Sequence, residues 1–81
     1  MEVKTLFDLI KHSLVIDENI IKKIKRDLDS LYFEVKDGNV NQSVAYLNRI
    51  EARIDLLDDD LQSLGVMIEA IEKEMSEAKD V

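Results

Sequence analysis

Apolar residues recur in alternating steps of three and four along almost the whole chain. In the first arm, Phe7, Leu14, Ile21, Leu28 and Val35 form row a. Val3, Ile10, Asp17, Ile24 and Leu31 form row d, and nine of these ten residues are apolar. In the second arm, row a is Val40, Leu47, Ile54, Leu61, Ile68 and Met75. Row d is Ser43, Ile50, Leu57, Leu64, Ile71 and Ala78, and eleven of these twelve are apolar. A strand alternates with period two and cannot sustain this spacing, whereas a long helix keeps it on one side. The chain has no proline and two glycines, so the usual helix breakers are almost missing. The predicted class is all-α, within a single domain spanning residues 1–81.

Lys36-Asp37-Gly38-Asn39 separates the arms. Gly38 suits the left-handed position that ends a helix. Asn39 suits the cap of the next one, with Gln42 three residues later as in a capping box. So short a connection makes antiparallel neighbours. The expectation is a helical hairpin with arm one over 3–36, the turn at 36–39 and arm two over 40–79. A kink or short interruption is expected near 16–18. Lys11 and His12 precede that point, and Asp17 would otherwise enter the seam as a charge among apolar neighbours. The competing architecture is a three-helix bundle folded at Asp17.

A seam of rows a and d leaves apolar surface over. Leu6, Leu9, Ile16 and Ile20 fall at g, c, c and g beside the seam, and Leu56 and Met67 lie off it in the second arm. These six residues are the candidate protein interface. Helices with two apolar edges belong in bundles, and the simplest closed solution is a twofold dimer of hairpins forming four helices. The expected partner is a second copy, with another helical protein as the alternative occupant. Gly65, inside the second helix, is expected to permit a close helix–helix contact.

The net charge is −7, unevenly spread. Lys22, Lys23, Lys25 and Arg26 form the one basic cluster, a candidate set of phosphate contacts for a small nucleic-acid-binding regulator. The acidic balance of the rest of the chain favours a solvated face instead. Asp58-Asp59-Asp60 is expected to lie level with Asp17 and Glu18, a set of carboxylates that invites a cation. Successive helical residues point about 100° apart, however, so a solvated acidic face is the expected role. His12 is the only histidine and falls on an outward row. With no cysteine, no glycine-rich phosphate loop and no metal-protease motif, the sequence predicts no enzyme, no metal and no cofactor. The start of the chain lacks a basic and apolar leader pattern, and no segment is apolar enough to span a bilayer. The expectation is therefore a cytoplasmic chain with no membrane partner.

The layout resembles that of Rop-type plasmid regulators, small acidic hairpins that dimerise into four-helix bundles and bind RNA. The resemblance is one of architecture and charge, and it carries no RNA-binding residues over to this chain.

Overall fold

The structure is a computed structural model that describes residues 2–79, with side chains described as far as residue 77. It contains two helices, α1 (Val3–Lys36) and α2 (Val40–Lys79), packed against each other as an antiparallel hairpin. At ~1.5 Å per residue the helices account for an elongated molecule of 65 × 15 × 14 Å. Ala78, assigned above to row d, lies outside the described side chains.

The turn forms where glycine and asparagine placed it. Gly38 adopts φ +77, in the left-handed region where a side chain is strained. Its amide donates to the Val35 carbonyl at 3.1 Å, and the Asn39 amide donates to the Glu34 carbonyl at 2.9 Å. These two bonds make a Schellman closure, which satisfies carbonyls that the end of α1 would leave open. The Asn39 side chain donates to Glu34 Oε2 at 2.9 Å, tying the first residue after the turn back to α1. The Asn39 carbonyl accepts from both the amide and the hydroxyl of Ser43, at 3.0 and 2.8 Å.

α1 is continuous through residues 16–18, against the expected interruption, and the three-helix alternative falls with it. An Asp in the middle of a helix costs only a few tenths of a kcal/mol in propensity, roughly 0.7 at most. The surrounding apolar spacing keeps the helix in phase on both sides of it.

The larger correction concerns which rows meet. Row d lies in the seam, but its companion is row g rather than row a. Leu6, Ile20, Ile50 and Leu64 are the buried apolar residues, and Asp17, Asp27 and Ser43 are buried with them. Ile10, Ser13, Ile24, Leu31 and Glu34 on α1, and Tyr46, Arg53, Leu57, Asp60, Met67 and Ile71 on α2, are half-buried along the same two rows. All eleven residues of row a are 40–71% exposed. Each helix has therefore turned its most uniformly apolar row out of the hairpin. One consequence is visible near the middle of the seam. Row g carries Asp27 on α1 and Arg53 on α2, and this rotation brings them together as an ion pair.

Gly65 does not serve a close approach inside the hairpin, because a Cβ built there meets nothing within 4 Å.

Candidate protein-docking face

Reversing the direction of one helix of a pair mirrors the sense in which its rows run around the axis. In an antiparallel hairpin, the rows flanking the seam on one side therefore carry the same letters on both helices. Here the two a rows lie side by side on one broad face, and the two c rows lie on the other. The a face contains Phe7, Leu14, Ile21, Leu28 and Val35 from α1, beside Val40, Leu47, Ile54, Leu61, Ile68 and Met75 from α2, without a single polar interruption. The c face is mixed. Leu9, Ile16 and Leu56 are exposed there, among residues such as Lys23, Arg49 and Ser63. A continuous apolar stripe running nearly the length of the molecule is what marks a docking surface on a small protein.

The six residues expected at the interface thus separate. Leu6 and Ile20 are buried inside the hairpin, at 4% and 7% exposure, and are not available to an outside partner. Met67 is half-buried on the seam row g. The physical reason is the rotation of the seam towards row g, which takes these residues in as it releases row a. Leu9, Ile16 and Leu56 remain exposed, on the more polar side. The sequence reading missed row a as a surface because an unbroken apolar row looks like the inside of a coiled coil. The Asp27–Arg53 pair was no signal of the rotation, since the two g rows of an antiparallel pair are neighbours whether they flank the seam or form it.

Two polar layers cross the seam. Asp27 pairs with Arg53 and lies 3.8 Å from Arg49, whose guanidinium also sits 5.1 Å over the Tyr46 ring. Arg53 reaches further, to the Lys23 carbonyl at 3.4 Å. Farther from the turn, Asp17 faces Asp60. Neither Asp17 oxygen meets a hydrogen-bond donor. Two carboxylates can bond only by sharing a proton. That bond to Asp60, then burial, then the charge of Asp60 together hold the Asp17 carboxyl above the usual carboxylate range. Residues of α1 and α2 whose numbers add to 76 or 77 thus lie level, as Asp27 with Arg49 and Asp17 with Asp60.

The remaining candidates stay dispersed. Lys22, Lys23, Lys25 and Arg26 are exposed and fan out over rows b, c, e and f rather than converging. Lys22 lies 3.5 Å from Glu18 one turn earlier. Asp58 and Asp59 are exposed, Asp58 accepting from Gln62 at 3.3 Å, while Asp60 turns towards the seam. Among the described residues, no three His, Asp or Glu side chains come together as a metal site would require. His12 is exposed. No helix among the described residues is long and apolar enough to cross a membrane.

No family model matches the chain, and neither a curated protein nor a solved structure shows significant similarity to it.

Proposed function

We propose that this chain is a non-enzymatic protein–protein interaction module, a small adaptor-like or regulatory hairpin that self-associates through its a face. The observation that carries this reading is the exposure of all eleven apolar a residues on one side of the molecule. Left in water, that face forfeits the main favourable term in folding, at about 25 cal/mol per Å² of apolar surface. Among the described residues the isolated hairpin buries four apolar side chains. Chains of this length with so small a core are commonly completed by association.

Sedimentation equilibrium across a micromolar concentration series tests the reading, together with the variants Ile21→Lys and Leu61→Lys. The expected result is a mass above that of the monomer which drops in both variants, with helical circular dichroism largely retained. A wild-type chain that stays a compact monomer throughout the series removes self-association from this proposal.

A further inference from the structure

The edges of the a face differ in charge, and the difference names one arrangement of two copies. Row e borders row a on the outer side of each helix. On α1 it holds Lys4, Lys11, Glu18, Lys25 and Tyr32, and on α2 it holds Glu72, Gly65, Asp58, Glu51 and Val44. Whole helices follow the same trend: α1 has seven basic and six acidic residues, whereas α2 has four and nine.

Two copies can stack their a faces about two kinds of twofold axis. An axis across the hairpin places the turns at opposite ends and lays α1 on the partner's α1 and α2 on the partner's α2. The acidic edge then faces itself. An axis along the hairpin places both turns at the same end and lays α1 on the partner's α2. This second operation leaves the heights of residues unchanged, so the level pairs within one hairpin are also the level pairs between copies. Lys4 then lies level with the partner's Glu72, Lys25 with the partner's Glu51, and Tyr32 with the partner's Val44. One e pair is unfavourable, Glu18 with Asp58, and both already have companions on their own helix in Lys22 and Gln62. Like-charge edges select against a mode of packing more strongly than exposed pairs stabilise one.

We infer that the a face receives a second copy of this chain in the same-end arrangement, giving a four-helix bundle in which every neighbouring pair of helices is antiparallel. The inference rests on the self-association proposed above. It predicts orientation, which self-association alone does not.

A nitroxide at Asn41→Cys reads the orientation directly, because the chain has no cysteine of its own and Asn41 is exposed beside the turn. Neighbouring helices pack 8–10 Å apart, so the same-end dimer puts the two labels within about 40 Å of each other. A dimer whose labels lie near the 65 Å length of the hairpin overturns the arrangement and leaves self-association standing. A monomer at every concentration overturns both. Charge reversal gives an independent reading. Lys25→Glu is expected to weaken dimerisation roughly tenfold, through two symmetric edge contacts, and adding Glu51→Lys is expected to restore it. Tighter dimerisation by Lys25→Glu alone, or no recovery in the double variant, counts against the same-end form.

Discussion

The two polar layers of the seam solve the same problem in opposite ways. Both place an α1 aspartate on a row facing α2, and both aspartates are buried, at 6% exposure for Asp27 and 4% for Asp17. Asp27 meets Arg53 and approaches Arg49, so its charge is neutralised and its oxygens have donors. Asp17 faces Asp60, and neither of its oxygens has a donor. A buried charge is tolerated when paired and costly when opposed by its like. The layer nearer the turn therefore holds the helices in register. The layer beyond it weakens the hairpin when Asp17 is ionised against Asp60.

Arg53→Ala is the severest test of this contrast. It leaves Asp27 buried with only the more distant Arg49, and is expected to cost roughly 2–4 kcal/mol, read as a lower urea midpoint at fixed protein concentration. Asp17→Asn acts in the opposite direction. The carboxamide donates to Asp60 without adding a charge, and a gain of about 1–2 kcal/mol at neutral pH is expected from thermal melts. Should the variant melt no higher than the wild type, the Asp17–Asp60 layer is not a strained one.

The pH dependence gives the same contrast without a change of fold. The Asp17 pKa is raised by folding, so the folded chain binds its proton more tightly than the unfolded chain does. That contribution is complete below the ordinary value of 3.8. It is lost as the pH rises through the elevated value in the folded state. The advantage of Asp17→Asn over the wild type should therefore shrink as the pH falls towards 4 and reach its full size above the raised pKa. A gap that stays constant with pH would assign the effect to packing. The smallest expected effect is Gly65→Ala, a turn beyond Asp60. Its added methyl meets nothing, so it should gain about 0.5–1 kcal/mol from helix propensity alone, with no pH dependence.

Much of the architecture was legible from residue spacing. The three-four repeat is local information, since it follows from the pitch of a helix. Gly38 is equally local, because its conformation is one that a side chain opposes. Asp17 is not legible in this way, because the cost of a charge in the seam depends on what stands across from it. The candidate face was not legible: its row a reads as the inside of a coiled coil, Leu9, Ile16 and Leu56 lie exposed on the opposite c face, and Leu6 and Ile20 lie within the hairpin.

Residue spacing specifies two long helices, the place of the turn, and an excess of apolar rows over what one seam can hide. Rows a, d and g all remain available to a helix considered alone, because helical periodicity distinguishes faces and not their destinations. Tertiary structure decided which rows meet. Packing α1 on α2 brought Asp27 to Arg53 and Asp17 to Asp60. The same rotation set eleven apolar side chains on one open face. Those outcomes depend on residues some 26 to 43 positions apart along the chain, a separation that no local pattern encodes.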